Sequence, residues 1–68
     1  DNHGLLRRTL QAWFRHNVQP LATSKALFIH RNTLEYRLNR ISELTGLDLG
    51  SFDDRLLLYI ALQLDEQR

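Results

Sequence analysis

The sequence predicts an all-α fold of four short helices. Three observations carry that expectation. Apolar residues recur at spacings of three and four in four separate stretches. Gly4, Pro20, Gly46 and Ser51 stand where those stretches begin or end. No stretch alternates apolar and polar residues as a half-buried strand does, and Val18 and Ile29 are isolated β-branched residues in joints.

The first helix is expected from Leu5 to His16. At 100° per residue, Leu5, Leu6, Thr9, Ala12 and Trp13 gather on one side, and Arg7, Arg8, Gln11 and Arg15 on the other. Phe14 lies outside the main stripe, where it covers a second contact. The second helix is expected from Pro20 to Leu27. Pro20 suits the first helical position, where a missing N–H costs nothing. Gln19 is a poor N-cap, and Thr23, Ser24 and Ala26 are small enough for a neighbouring helix to approach closely.

The third helix is expected from Arg31 to Thr45, with Leu34, Leu38, Ile41 and Thr45 as its buried stripe. Gly46 ends it, and Leu47 is expected to close back on Ile41 in a Schellman arrangement. The fourth helix is expected to begin near Ser51. A hydroxyl at Ser51 and a carboxylate at Asp54 approach a capping box. Asp53 and Asp54 also suit the positive end of the helix dipole. From Leu56 to Leu64 this helix is apolar almost all round. One side fills the core. The other, on which Leu58 is placed, is expected to meet a second copy or an upstream region.

The 68 residues, 43% hydrophobic and 25% charged, make one domain at most, taken as residues 1–68. A chain of this size buries only ~60% of its unfolded surface, so its core is marginal without a partner. It is too small to wall an ordinary enzyme pocket of ~300–1,000 Å³ alone. No apolar run approaches the ~18 residues that a membrane span requires. There is no Cys, which excludes disulfides, thiol catalysis and zinc–cysteine sites. The chain holds no Met and begins at Asp1, so it is expected to be a piece of a longer protein, with any targeting signal beyond it.

Charge is unevenly spread. Residues 1–40 carry seven basic side chains (Arg7, Arg8, Arg15, Lys25, Arg31, Arg37, Arg40) against Asp1 and Glu35, a balance of +5. Residues 41–68 carry Arg55 and Arg68 against six acids, a balance of −4. The basic part suits an anionic partner such as nucleic acid, with the acidic part turned away. The alternative is that the two parts pair with each other.

The most specific stretch is ATSKALFIHRNTLEYRLNRI, residues 22–41. A short helix with small residues, a turn with apolar Ile29 at its centre, and a helix that starts polar form a helix-turn-helix pattern, spanning about residues 20–45. Ile29 is expected to plug the core beneath both helices. Leu34 and Leu38 anchor the third helix, leaving its far side to enter a major groove about 12 Å wide. That side carries Asn32, Tyr36, Asn39 and Glu43, flanked by Arg31, Thr33, Glu35 and Arg40. These residue types donate to phosphates or read base edges: Arg on guanine, Asn on adenine, Glu on cytosine. Glu43 sits where the groove curves away and is left out of the site.

The run LATSKALFIHRNTLEYRLNRISELTGLDL, followed by DDRLLLYIALQL, resembles the C-terminal helix-turn-helix domain of the PucR/CdaR family of bacterial transcriptional regulators. The similarity covers roughly residues 5–64 and is closest to the regulators of carbohydrate diacid metabolism. It implies sequence-specific binding of double-stranded DNA by a cytoplasmic, nucleoid-associated activator. It also implies control of genes for sugar diacid (glucarate, galactarate, glycerate) uptake and metabolism. The diacid effector would be bound by an upstream sensory region, not here.

More distantly, the stretch is similar to the wingless helix-turn-helix of the factor for inversion stimulation. That similarity carries DNA contact onto His30, Arg31, Thr33, Glu35 and Tyr36. Two positions depart from its pattern: Phe28 stands where Gly is usual, and Glu35 where a basic residue is usual.

The expected DNA-binding residues are therefore His30, Arg31, Asn32, Thr33, Glu35, Tyr36, Arg37, Asn39, Arg40 and Lys25. His30 is also expected to cap the third helix through a ring nitrogen. Arg37 and Arg40 are divided between phosphate contact and pairing within the chain with the acidic fourth helix. Arg7, Arg8 and Arg15 read as a solvated face. No catalytic residue, metal site or cofactor is expected. His3, His16 and His30 have no acidic or His partner at helical spacing, and Asp53 and Asp54 are explained by a helix start. The expected partners are duplex DNA in the major groove and, through the fourth helix, a second copy or the sensory region. The rival is a helical interaction module that touches no DNA. RNA binding is disfavoured, since the chain lacks an aromatic stacking platform.

Overall fold

A computed structural model describes residues 2–66, with side chains from residue 4. It contains α1 (Asn2–Arg15), α2 (Pro20–Leu27), α3 (Arg31–Thr45) and α4 (Phe52–Glu66). No strand occurs among the described residues. The bounds of α2 and α3 are those expected from the sequence. α1 starts earlier, passing through Gly4, because a glycine in an open first turn weakens a helix without stopping it.

The core joins Leu6, Leu10 and Trp13 of α1 to Ile41 of α3 and to Leu58 and Leu62 of α4. Phe14, Val18, Leu38, Leu47 and Leu49 close around it. α1, α2 and α3 pack on one another, with Leu34, Thr9 and Thr23 fully buried. The buried hydroxyls are satisfied within their own helices. Thr9 Oγ1 donates to the Leu5 carbonyl at 2.8 Å, Thr23 Oγ1 to Gln19 at 2.7 Å and Ser24 Oγ to Leu21 at 2.9 Å. Trp13 is buried, and its indole N–H has no hydrogen-bond partner among the described residues.

The ends of α1 and α2 share one device. Val18 N–H donates to the Trp13 carbonyl and Asn17 N–H to Phe14; Ile29 N–H donates to Ser24 and Phe28 N–H to Lys25. Both are Schellman endings, with Asn17 (φ 58°) and Phe28 (φ 57°) in the left-handed position that glycine usually takes. Val18 (φ 55°) is left-handed as well and packs against the core.

α3 ends differently from the expected Schellman arrangement. Gly46 (φ 73°) donates its N–H to the Ser42 carbonyl at 2.8 Å, the simpler left-handed cap. Leu47 N–H turns instead to Thr45 Oγ1 at 3.2 Å, and Ser42 Oγ donates to the Leu47 carbonyl at 2.5 Å. These bonds hold Leu47 against the core.

Several sequence expectations are corrected. In α1, Leu10 is buried and Leu5 is 37% exposed, since the stripe is rotated toward α4. Thr45 is exposed: its hydroxyl serves its own turn, donating to the Ile41 carbonyl at 2.8 Å. Ala26 is exposed, leaving the close approach to Thr23 and Ser24, and Ile29 is only half-buried. Leu58 is a core residue at 7% exposure, not an outer one. The capping box does not form in its reciprocal shape. Asp54 Oδ2 accepts from Asp48 N–H at 2.7 Å, and Ser51 N–H goes to the Asp48 carbonyl at 3.0 Å. Asp54 thereby pins the α3–α4 joint to the start of α4.

The two oppositely charged parts do pair with each other, and the end of α4 is one such place. Arg7 forms an ion pair with Asp65, and Gln11 Nε2 donates to Glu66 Oε2 at 2.5 Å. The C-terminal acids of α4 thus lie against α1.

Candidate nucleic-acid interface

The geometry of α3 follows from how it begins. His30 is extended (φ −71°, ψ 150°), and its Nδ1 accepts the Asn32 backbone N–H at 3.0 Å. As an acceptor, Nδ1 carries no hydrogen, so the ring hydrogen of neutral His30 sits on Nε2. The expected cap is present. Its carbonyl accepts Leu34 N–H at 3.1 Å, which starts the helical ladder.

From that start, Leu34 and Ile41 are buried and Leu38 is half-buried. The side opposite them is exposed along its length: Asn32, Tyr36, Asn39 and Glu43 in one column. Thr33 and Arg40 flank it on one hand, Arg31 and Glu35 on the other, all exposed. Tyr36 is 68% exposed, so its ring is not held by the fold. Lys25 is exposed in the last turn of α2.

Two of the expected contacts are engaged within the chain, though with α1 and α3 and not with the acidic fourth helix. Arg37 is half-buried, and its Nη1 approaches Thr9 Oγ1 at 3.5 Å, tying α3 to α1. Arg40 Nη1 pairs with Glu43 Oε1 at 3.0 Å, one helical turn away. Glu43 therefore acts on the strip through Arg40, a role its sequence position did not announce.

The strip is bordered by two open grooves. One, of about 340 Å³, runs between α3 and the α3–α4 joint and includes Glu35, Asn39 and Asp48. Its two carboxylates make that border unfavourable for a phosphate. The other, of about 420 Å³, lies between α2 and the start of α3 and includes Leu21, Ile29, Arg31 and Asn32. Here the first-turn N–H groups and dipole of α3 add to the Arg31 charge. Among the described residues no group of three His, Cys, Asp or Glu is placed to hold a metal ion.

A separate apolar surface lies on α4. Leu56, Leu57, Ile60 and Leu64 are exposed, at 44%, 56%, 47% and 63%. Leu57, Ile60 and Leu64 follow the three-and-four spacing of a helix-pairing seam. No helix among the described residues is long and apolar enough to cross a membrane.

Comparison with known proteins converges on one family. Residues 6–64 match the PucR C-terminal helix-turn-helix domain. The chain is 93% identical to the carbohydrate diacid regulator of Escherichia coli over 68 residues, all of this chain and 18% of that protein. It is 44% identical to the transcriptional activator PmfR of Paenarthrobacter nicotinovorans over 59 residues, 87% of the chain and 13% of that protein. It is 38% identical to the proline-responsive transcriptional activator PutR of Bacillus subtilis over 63 residues, 93% of the chain and 15% of that protein. The chain thus spans less than a fifth of the length of these relatives. No solved structure matches it.

Proposed function

The chain belongs to the family of PucR C-terminal helix-turn-helix domains, and from that premise we propose that it binds duplex DNA by laying α3 in the major groove. The observation that carries the reading is the exposed polar column Asn32–Tyr36–Asn39 on a helix whose opposite side, Leu34 and Ile41, is locked in the fold. Such a helix presents donors and acceptors at groove depth without rearrangement.

Within this reading the residues divide by role. Arg31 and Lys25 are the phosphate contacts, since both are exposed and flank the α3 start. Asn32, Thr33, Glu35, Tyr36 and Asn39 face the base edges. His30 sets the first turn and offers its Nε2–H outward. Arg40 and Arg37, held by Glu43 and Thr9, are secondary contacts.

We further propose that residues 1–68 work as one DNA-binding domain of a cytoplasmic transcriptional activator. The relative at 93% identity is named for carbohydrate diacids, which supports a regulator of sugar diacid genes that senses its effector outside this chain. Pairing through Leu57, Ile60 and Leu64 of α4, with a second copy or with the sensory region, fits their exposure. Two paired domains would address half-sites about 34–36 Å apart.

The deciding experiment is a fluorescence-anisotropy titration of the chain with random duplex and with candidate operators at two salt concentrations. Binding through Z phosphate contacts weakens with a log–log slope near −0.9Z, whereas an apolar interaction module responds little. A salt-independent signal, or no preference for any duplex, would defeat the proposal.

A further inference from the structure

Phe28 combines two features that a fold alone does not favour. It takes the left-handed position at the end of α2 (φ 57°, ψ 43°), where a side chain is strained and glycine is not. It is also 94% exposed, so its ring recovers nothing by packing within the chain. Asn17, in the equivalent position at the end of α1, is a residue type that tolerates this conformation; Phe is not. Strain kept without an internal return is characteristic of positions that make contacts outside the fold.

The surroundings indicate what Phe28 touches. Leu21 and Lys25, four residues apart, share one face of α2, and Phe28 follows at its left-handed end. The open groove beside that face is bounded by Leu21 and Ile29 on the α2 side and by Arg31 and Asn32 on the α3 side. Phe28 thus lies in the chain between the Lys25 cation and His30, the cap of the candidate recognition helix, and next to Ile29 of the groove. The apolar group that a duplex displays at its major-groove edge is the thymine 5-methyl, and a phenyl ring is among the side chains that read it.

We propose that Phe28 is a specificity-determining residue, packing its ring on a thymine methyl at the margin of the site that α3 reads. The inference rests on α3 entering the major groove. It adds a contact from the turn, selects thymine over cytosine and over uracil, and accounts for an aromatic residue where the backbone favours glycine.

The test uses duplexes selected from a random pool by the unaltered chain. Each thymine is replaced in turn by deoxyuridine, which deletes only the methyl. Affinities of the unaltered chain and of Phe28→Gly are measured by anisotropy, and both proteins are melted. At one thymine the unaltered chain loses about threefold or more on methyl removal, while Phe28→Gly binds weaker by about that factor and is indifferent to it. Phe28→Gly melts no lower than the unaltered chain, because strain is removed. Equal affinity of the two proteins, or equal sensitivity at every thymine, overturns the proposal. So does unchanged DNA binding with lost transcriptional activation by the full-length regulator, which assigns the ring to a protein partner. Failure of the unaltered chain to select any duplex instead overturns the DNA-binding reading itself.

Discussion

His30 and Asn32 are joined side chain to backbone: the imidazole Nδ1 accepts the Asn32 N–H at 3.0 Å, filling one of the open donors at the start of α3. His30→Ala leaves that donor to water and loosens the first turn, lowering stability by about 1 kcal/mol. His30→Ser restores a hydroxyl acceptor and most of the loss. Thermal melting of the three proteins checks this; equal melting of the Ala and Ser variants would show that the cap contributes nothing.

Arg31 has no partner within the described contacts, whereas Arg40 is held by Glu43 and Arg37 by Thr9. Arg31→Ala is expected to weaken duplex binding about tenfold and to lower the salt slope by about one, with helicity unchanged. Arg37→Ala and Arg40→Ala are expected to weaken it less. Gel-shift titrations at two salt concentrations rank the three. An Arg31→Ala variant that binds like the parent would remove α3 from the groove.

Leu58 and Leu57 are neighbours in sequence on different sides of α4, one buried at 7% and the other 56% exposed. Leu58→Ala is expected to destabilise the fold by about 2–5 kcal/mol, enough to unfold so small a chain. Leu57→Glu is expected to change stability by less than about 0.5 kcal/mol. Its effect is on association, read by sedimentation of the chain and of any longer protein that contains it. No change in either would leave the α4 seam without a role.

Gly46 sits at φ 73° with nothing within 4 Å of where a Cβ would stand. Gly46→Ala therefore meets no steric obstacle and pays only in backbone conformation, about 1–2 kcal/mol. Urea unfolding measures it. A neutral substitution would mean that the α3 ending relaxes to another shape.

Most of the helical framework was readable from residue order. Pro20, Gly46 and the 34–38–41 spacing mark α2 and α3 strongly enough that their bounds agree with the structure. The exposed column of α3 was equally readable, because it lies opposite residues that have no alternative to burial. What was not readable was rotation. α4 is apolar on nearly every side, so no polar face fixes which leucine points inward, and residue order alone does not turn Leu58 to the core. In α1, Leu5 and Leu10 compete for the core, and only contact with α4 decides for Leu10. Pairwise polar choices were also hidden. Asp54 prefers the Asp48 N–H to that of Ser51, and Glu43 takes Arg40, because both choices depend on joint geometry.

Trp13 is the single tryptophan of the sequence. It lies in the last turn of α1 with its ring 5.2 Å from that of Phe14, its N–H without a partner among the described residues and its surface shielded from solvent. Its emission should therefore be blue in the native state and move to the red on denaturation. The chain thus carries its own optical gauge of folding, seated away from the exposed column of α3, and a titration with nucleic acid should leave that signal nearly still.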